Sequence, residues 1–346
     1  MALTQTLTNK LGQNPTGILP IDCLAETDAE TGFQIDGHDI RLLRFIEEAG
    51  MKYDVRRQLK DQVKQLDSDH GLEVSIGFEL EFTLSPCQAQ LAYDAASRLP
   101  FDDMLQAIER NLIENGISIA SSNFEQGTGQ FEFSFSPAEP LRACDQIIFS
   151  RHAIKHYAQK FGVTASFLPQ PANGVPANAL HTNVSFANTK RTENSLTLRQ
   201  LAISIQSIND ALAFLAAPTI NSYRRLSTGQ FGAPTTNTFD SADKRACMRL
   251  MDDYLEYRLP DSATNPYLMC SALLFCLKTA HQDGKGNVPA IPADLQRSTR
   301  AFRDHSDLTQ FIGPDISQVL CELKEREWQD FLSTVSSFDH DSYFYL

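Results

Sequence analysis

The sequence lacks the features that mark membrane-spanning, exported or nucleic-acid-binding proteins. Its 346 residues contain no run of ~20 apolar residues, the length that a bilayer-spanning helix needs. The first residues, MALTQTLTNKLGQNPTG, are polar where a signal peptide has an apolar segment. The 30 lysines and arginines form no basic run and are outnumbered by 43 aspartates and glutamates, which gives a net charge of −13. Because phosphate groups are bound by basic surfaces, we expect neither a membrane nor a nucleic acid among the partners.

Paired cysteine spacings are also missing. The seven cysteines are scattered, without a CxxC pair or zinc-site spacing, and their number is odd. This pattern is typical of reduced thiols in a cytoplasmic protein, the location that we expect. The remaining composition is ordinary for a globular enzyme, with 42% hydrophobic and 21% charged residues. The length is sufficient for about two domains or for one large unit with appendages.

Residues 1–72 predict a short, atypical N-terminal part. Residues 1–36 are rich in Thr, Asn, Gly and Asp and predict an extended arm. From His38 to about Asp69 the apolar residues recur at helical spacing, which predicts two helices separated near Gly50.

From Glu73 onward, strand and helix patterns alternate. Strands are predicted at EVSIGFELEFTL, ISIASSNF, GQFEFSFSP, VTASFLPQP and LHTNVSFA. Helices are predicted at 102–115, 140–161, 197–216, 265–281 and 317–333. This order predicts an α+β fold in which helices pack on one side of a curved sheet.

Acidic residues interrupt these apolar strands at unusual positions. Glu79 and Glu81 lie on the same face of one strand, because side chains alternate with a period of two. Like charges this close destabilise a strand unless a cation or an arginine lies between them. Glu125 and Glu132 bracket the turn of the next hairpin and can converge across it. Two further polar groups with apolar neighbours are His181 and Glu256.

Taken together, these six side chains suit hard divalent cations, because carboxylate oxygens prefer Mg²⁺ or Mn²⁺ and one imidazole is tolerated. Taken singly, each has an ordinary explanation. A strand glutamate most often faces solvent, a lone histidine is usually structural, and Glu125 can be a turn residue. Glu256 and Arg258 can form a surface ion pair of little energetic value.

The segments that carry these residues resemble the glutamine synthetase family in collinear order over about residues 73–282. The matching strings are GFELEFTL, FEQGTGQFEFSF, LPQPANGVPANALHTNVSF, APTINSYRRLSTGQFGAP, DKRACMRLM and EYRLPDSATNPYL. NSYRRL and RLPDSATNPYL are long and unusual, so chance similarity is remote. The resemblance implies a glutamine synthetase-type catalytic domain over residues 73–346, with a curved antiparallel sheet backed by helices. It also implies that the family's full N-terminal β-grasp domain is not present before Glu73.

The resemblance further implies roles for individual residues, with ATP as co-substrate and two Mg²⁺ or Mn²⁺ ions. The ligands of the first cation, beside the acceptor carboxylate, would be Glu81, Glu125 and Glu132. The ligands of the second, which holds the ATP phosphates, would be Glu79, His181 and Glu256. Implied catalytic residues are Arg249, Arg258 and Lys244. Implied substrate-binding residues are Arg225, Asn178 and Arg258. Implied nucleotide-binding residues are Asn183, Ser185, Arg249 and Tyr254.

The resemblance implies an ATP-dependent carboxylate–amine ligase that forms an amide through an acyl phosphate. Several positions depart from the family pattern, however. The loop before His181 reads PANAL without its usual glycine, and Lys244 and Tyr254 stand where arginines are usual. The flap after Arg225 reads GQFGAP, with Phe231 near the position of the family's acid.

An apolar flap suits an amine with a carbon substituent, so we expect γ-glutamylation of an amine other than ammonia. Two alternatives stay open. One is ordinary glutamine synthesis with ammonia, in which another acid such as Asp240 or Asp243 replaces the flap acid. The other is a non-catalytic relative that keeps the fold and the cation cage. The resemblance also implies a homo-oligomer, which can be ring-shaped.

Overall fold

A computed structural model describes residues 25–28, 31–46, 48–86, 100–189, 195–229, 232–280 and 288–343. The strands in these ranges are β1 (Ala25–Thr27), β2 (Phe33–Ile35), β3 (His38–Ile40), β4 (Leu43–Phe45), β5 (Leu72–Ser85), β6 (Ile119–Phe124), β7 (Gln130–Phe135), β8 (Thr164–Ser166), β9 (Leu180–Asn188), β10 (Thr236–Asp240), β11 (Ala246–Leu250) and β12 (Leu255–Tyr257). The helices are α1 (Glu48–Met51), α2 (Val55–His70), α3 (Asp102–Glu114), α4 (Pro140–Lys160), α5 (Leu198–Ser207), α6 (Asn209–Ala216), α7 (Ile220–Thr228), α8 (Pro266–Thr279), α9 (Leu295–Asp304), α10 (Ser306–Ile312), α11 (Pro314–Ser333) and α12 (Ser337–Tyr343). None of these described helices combines the length and apolar character needed to cross a membrane.

Eight strands form one sheet in the order β10-β11-β12-β9-β5-β7-β6, and β8 also pairs with β5. The pairings are antiparallel except for β10 with β11, which is parallel. The α+β prediction is therefore confirmed, and the sheet is mixed rather than purely antiparallel.

Strand β5 has one face that packs into the core of the protein and one face that points away from the core. Its side chains alternate, and the set that faces the core is at most 6% exposed: Leu72, Val74, Ile76, Phe78, Leu80, Phe82 and Leu84. Helices α2 and α4 contact β5, and these apolar residues join one continuous core cluster with α8. The other face of β5 carries Glu79, Glu81 and Thr83, so the pattern of the strand directs its acids away from the core.

The three helices behind the sheet are joined by a buried polar contact. Arg56 on α2 donates to both oxygens of Asp145 on α4, at 2.8 and 2.7 Å. The Tyr267 hydroxyl on α8 donates to the same carboxylate at 2.7 Å. This network holds α2 against α4 and α8.

The prediction of a helix beginning at His38 was wrong. Residues 38–45 form β3 and β4, and β2 and β3 make a hairpin through Asp36 and Gly37. Both turn residues have positive φ, 48° and 78°, and Asp-Gly is a strong signal for such a hairpin turn. The second predicted helix is confirmed as α2, which Asp54 caps at its start and Gly71 ends in the left-handed conformation.

Most other predicted elements after Glu73 agree with the structure. The helix predicted at 197–216 is instead two helices, α5 and α6, separated at Ile208. Residues 1–24 and 29–30 of the predicted arm lie outside the described residues.

Candidate active site

A cavity of about 360 Å³ lies on the face of the sheet away from the core. All six predicted cation ligands line it: Glu79, Glu81, Glu125, Glu132, His181 and Glu256. Four predicted cationic residues and one tyrosine line it as well: Arg225, Lys244, Arg249, Arg258 and Tyr254. The structure therefore brings together most of the side chains that the resemblance implied.

The register of the sheet explains why these residues meet. Glu79 on β5 lies directly opposite His181 on β9, and Glu81 on β5 lies opposite Glu132 on β7. On the other side of β9, strand β12 places Glu256 beside the same face. Antiparallel pairing thus converts residues distant in sequence into neighbours 4–6 Å apart at Cα.

The candidate ligands of the second cation are Glu79, His181 and Glu256, and their ligand atoms lie within 4.8 Å of one another. His181 Nδ1 lies 3.0 Å from Glu79 Oε2 and 3.4 Å from Glu256 Oε1. Burial acts to raise the pKa of Glu79, but the hydrogen bond and charge of His181, with the Asn183 hydrogen bond and the Arg258 charge, together outweigh it and lower that pKa to about 2. Burial acts to lower the pKa of His181, but the hydrogen bond to Glu79 and the charges of Glu79 and Glu256 together raise it. Two carboxylates therefore surround one imidazole, a donor set that a divalent cation with a neutral imidazole ligand would satisfy.

The candidate ligands of the first cation are Glu81, Glu125 and Glu132. Burial and the charges of Glu81 and Glu132 raise the pKa of Glu125 to about 7. Burial and the charges of Glu79 and Glu81 raise the pKa of Glu132 to about 7 as well, although Ser134 donates to it at 2.8 Å. Carboxylates that raise one another's pKa in this way fit a hard divalent cation, which these three residues could hold.

The carboxylate of Glu256 accepts hydrogen bonds from two guanidinium groups. Arg258 donates to Glu256 Oε1 at 2.6 Å, and Arg249 donates to Glu256 Oε2 at 3.0 Å. Arg258 also donates to the carbonyl of Gly232 at 3.0 Å, which ties it to the flap. The Nε atoms of both arginines are buried and have no hydrogen-bond partner among the described residues. These two groups thus place positive charge at the wall of the cavity.

Arg225 is almost fully buried, yet it lines the cavity. Its two terminal nitrogens donate to the carbonyls of Leu259 at 2.7 Å and Arg258 at 2.9 Å. These bonds fix the plane of the guanidinium, the group best suited to binding a carboxylate through two parallel bonds. Lys244 and Tyr254 also line the cavity, and Lys244 is exposed whereas Tyr254 is half-buried.

Three predicted site residues do not line the cavity. Asn178 is fully buried and donates to the Leu168 carbonyl at 2.9 Å, so it supports the wall rather than facing the cavity. Asn183 donates to Glu79 Oε1 at 2.9 Å and orients that carboxylate. Ser185 lies two residues further along β9, opposite Ser75, and is half-buried.

Gln130 belongs to the site but was not predicted. Its side-chain nitrogen donates to Glu81 Oε2 at 3.2 Å and to the Ala177 carbonyl at 2.8 Å. The backbone N–H of Ala179 donates to the same Glu81 oxygen at 2.7 Å. Gln130 thus fixes one oxygen of a candidate cation ligand. The available signal was its spacing of two residues from Glu132, which puts both side chains on one face of β7.

The flap lies only partly within the described residues. Gly232 and Ala233 line the cavity, whereas Gln230 and Phe231 lie outside the described residues. Asp240 is the exposed last residue of β10 and accepts hydrogen bonds from backbone N–H groups, and Asp243, in the connection to β11, pairs with Arg245. Neither aspartate lines the cavity, so the structure gives no support to either as a substitute for the flap acid.

An acidic pocket that can hold hard cations beside guanidinium groups is the site of an enzyme that binds phosphates and carboxylates. The chain belongs to the glutamine synthetase family, since the model of the glutamine synthetase catalytic domain matches residues 52–279. The match starts upstream of the segment that carries the sequence resemblance and includes α2. The chain is therefore an ATP-dependent carbon–nitrogen ligase of the glutamine synthetase type.

Two curated relatives illustrate the range of this family. The glutamate–methylamine ligase of Methyloversatilis universalis is 26% identical, covering 84% of this chain and 77% of that protein. The glutamine synthetase of Rhizobium leguminosarum bv. phaseoli is 25% identical, covering 79% of this chain and 73% of that protein. The first name specifies an amine, methylamine, and the second specifies a product, glutamine, and this chain is about equally similar to both relatives.

Solved structures confirm the fold. A structure described as a GmaS/ADP complex has a TM-score of 0.84 at 22% identity and covers 96% of this chain and 86% of its own. A structure described as a novel glutamine synthase homolog has a TM-score of 0.80 at 20% identity and covers 90% of this chain and 81% of its own.

Proposed function

We propose that the chain joins a glutamate-like acid to an amine other than ammonia, at the expense of ATP, to give a γ-glutamyl amide. The choice of amine rests on the chemical character of the residues at the edge of the flap. Gly232 and Ala233 present small, uncharged groups to the cavity, and the string GQFGAP contains no acid. A carbon substituent gains from contact with such a surface, whereas an ammonium ion gains nothing from it. The similarity to a glutamate–methylamine ligase supports the same choice.

The proposed reaction has two steps. The side-chain carboxylate of the acid attacks the γ-phosphorus of ATP, so that a C–O–P linkage forms, the β–γ bond breaks and ADP leaves. The amine nitrogen then attacks the acyl carbon, a C–N bond forms, and inorganic phosphate leaves with the bonding electron pair. The alkylammonium ion loses one proton to solvent before the attack, and the nitrogen loses a second proton, to solvent or to the departing phosphate, as the neutral amide forms. Activation of a carboxylate is needed because the free anion is a poor electrophile.

In this proposal the arginines bind and orient the reacting anions. Arg225, with its plane fixed by two carbonyls, would hold the acid's α-carboxylate. Arg258 would lie near the reacting carboxylate, and Arg249 and Lys244 would neutralise charge on the transferred phosphoryl group. Tyr254 would border the nucleotide. Asn178 and Asn183 would act by supporting the wall and Glu79, and the nucleotide role of Ser185 stays a prediction.

Two divalent cations, Mg²⁺ or Mn²⁺, would supply neutralisation of the phosphate oxygens when bound. One would be held by Glu81, Glu125 and Glu132. The other would be held by Glu79, His181 and Glu256. The support for this assignment is the short separation of the donors and the mutual elevation of carboxylate pKa values.

Ordinary glutamine synthesis is the second candidate, because several relatives at about the same identity are named glutamine synthetases. A homo-oligomer, ring-shaped in the manner of the family, and a cytoplasmic location also stay proposals. Light scattering of the purified protein measures the first of these.

The experiment is a phosphate-release screen that crosses acidic amino acids with primary amines and ammonium, in the presence of ATP and Mg²⁺ or Mn²⁺. We expect release that requires both glutamate or a close analogue and an alkylamine. Glu256→Ala should abolish it, while the matched control Glu73→Ala, at an exposed position on β5, should keep it. Phosphate release with glutamate and ammonium, in the absence of any alkylamine, would favour ordinary glutamine synthesis. No release with any pair would overturn the proposal.

A further inference from the structure

The guanidinium of Arg258 joins a candidate cation ligand to the flap. Its Nη1 donates to Glu256 Oε1 at 2.6 Å, and its Nη2 donates to the Gly232 carbonyl at 3.0 Å. Both acceptors are held by one planar group whose two terminal nitrogens have a fixed separation. A shift of the Glu256 carboxylate therefore moves the guanidinium, and with it the nitrogen that holds Gly232.

The base of the Arg258 side chain is fixed, so the guanidinium is the part that can respond. Arg258 is 6% exposed, and its backbone N–H donates to the Cys247 carbonyl at 2.8 Å. Its partner Glu256 is 4% exposed, which leaves that carboxylate few other contacts. These contacts are Arg249, which donates to Oε2 at 3.0 Å, and His181 Nδ1, which lies 3.4 Å from Oε1.

The backbone at Gly232 is suited to this contact. Its φ is 78°, in the left-handed region that favours glycine, and in this conformation its carbonyl reaches Arg258. Among the described flap residues 232–234, this is the only hydrogen bond to the cavity wall. The next anchor along the chain is the N–H of Thr235, which donates to the Arg245 carbonyl at 2.9 Å. The edge of the flap thus depends on Arg258 for its place beside the cavity.

The other end of the link lies in the proposed second cation site. The ligand atoms of Glu256, Glu79 and His181 lie within 4.8 Å of one another. Without a cation, the same Glu256 oxygen faces both Arg258 and His181. A bound divalent cation would fix the carboxylate in one orientation, because groups that hydrogen-bond a ligand and the ligand itself are positioned together. The Arg258 guanidinium would then be fixed as well.

We propose that Arg258 couples the second cation site to the flap, so that a cation held by Glu79, His181 and Glu256 keeps Gly232 against the cavity. The inference rests on the proposed cation and adds a regulation of the same site. The wall that contacts the amine is set in place when the cation that holds the ATP phosphates is bound. By linkage, loss of the Gly232 hydrogen bond weakens cation binding by the same factor.

Chymotrypsin tests this coupling, because it cleaves after Phe231 and leaves Gly232 as the new N-terminus. Cleavage at that bond requires Gly232 to leave Arg258, so its rate follows the population of the released flap. In wild-type protein, Mn²⁺ should slow this cleavage about three- to tenfold relative to a chelator, the range that one hydrogen bond allows. Cleavage after Phe338, an exposed residue of α12, is the control in the same digest and should keep its rate. In Arg258→Lys the Mn²⁺ effect should vanish, because one amine cannot span both acceptors.

Two glycine variants give a second readout with a matched control. Gly232→Ala and Gly162→Ala place alanine at nearly the same positive φ, 78° and 77°, and so carry similar backbone strain. Gly162 follows α4 and does not line the cavity. In calorimetric titration, Gly232→Ala should weaken Mn²⁺ binding at one site about three- to tenfold, because relief of the strain moves its carbonyl from Arg258. Gly162→Ala should bind Mn²⁺ as the wild type does.

The outcomes separate the inference from the proposed function. Equal cleavage after Phe231 with Mn²⁺ and with chelator, in wild-type protein that binds Mn²⁺, would overturn the inference and leave the proposed function intact. Protection that persists in Arg258→Lys, or a Gly232→Ala variant with wild-type Mn²⁺ affinity, would also overturn it. A wild-type protein that binds no Mn²⁺ would refute the proposed cation sites and the inference with them. The wild-type digest needs no variant, so it decides the inference even where a substituted protein does not fold.

Discussion

Glu132→Gln should stabilise the protein without divalent cations and weaken its response to them. Glu132 lies directly opposite Glu81 in the sheet and is 8% exposed. Burial and the charges of Glu79 and Glu81 raise its pKa to about 7. A neutral glutamine of the same shape removes the repulsion and keeps an acceptor for Ser134.

The magnitude follows from the pKa. At about 1.4 kcal/mol per pKa unit, a rise from the ordinary 4.5 to about 7 corresponds to about 3 to 4 kcal/mol of lost stability. Glu125 has the same raised pKa and is repelled by Glu132, so part of this energy is shared and we expect a gain of about 1 to 3 kcal/mol. Because the folded-state pKa is raised, the folded protein holds the extra proton between pH 4.5 and 7. The destabilisation therefore grows through that window, is complete above pH 7 and is absent below pH 4.5.

The assay is urea unfolding at pH 8 with a chelator, and then with excess Mn²⁺. The chelated variant should exceed the chelated wild type in free energy of unfolding. With Mn²⁺ at a hundredfold excess over its Kd, a single site stabilises wild type by about 2.7 kcal/mol, and the variant should gain far less. Glu73→Gln, at an exposed position on the same strand β5, is the matched control and should change neither value. A chelated Glu132→Gln protein no more stable than wild type, or one with a full Mn²⁺ response, would refute the reasoning.

Three further predictions concern the same cavity. Arg225→Lys should raise the KM for the acid at least tenfold and change kcat less, measured by steady-state kinetics, because a lysine cannot make the paired bonds of a guanidinium. Gln130→Ala should weaken Mn²⁺ binding by about 10- to 100-fold in calorimetric titration, since Glu81 loses one of the two donors that fix its Oε2. Unchanged affinity would contradict that role. Burial, Glu81 and Glu132 raise the pKa of Glu125 to about 7, so Mn²⁺ affinity should increase with pH up to about 7 and then level off, with proton release on binding below that value. An affinity independent of pH between 5 and 7 would argue against Glu125 as a ligand.

The acidic pattern of the site could be predicted because part of it is local. Glu79 and Glu81 share a face through the period of one strand, and Glu125 and Glu132 lie in one hairpin. The approach of Glu256 to Glu79 depends on the register of β5, β9 and β12, which is non-local and invisible in spacing. Only the family resemblance could supply that pairing from the sequence.

The errors in the sequence analysis have local causes. The apolar spacing from His38 to Ile46 fits a helix, but the Asp36–Gly37 turn and strand pairing determine the actual structure. Asn178 donates to the Leu168 carbonyl beside the cavity wall, and its substrate-binding role stays a prediction. The contribution of Gln130 depends on a carboxylate in another strand.

The most direct test of the account is the ratio of kcat/KM for methylamine to kcat/KM for ammonium, measured on one preparation with ATP, glutamate and Mn²⁺. An apolar flap edge predicts a ratio above about five, since burial of one methyl group contributes roughly 1 kcal/mol. A ratio of one or less would contradict the proposed choice of amine and identify the chain as a glutamine-forming member of its family.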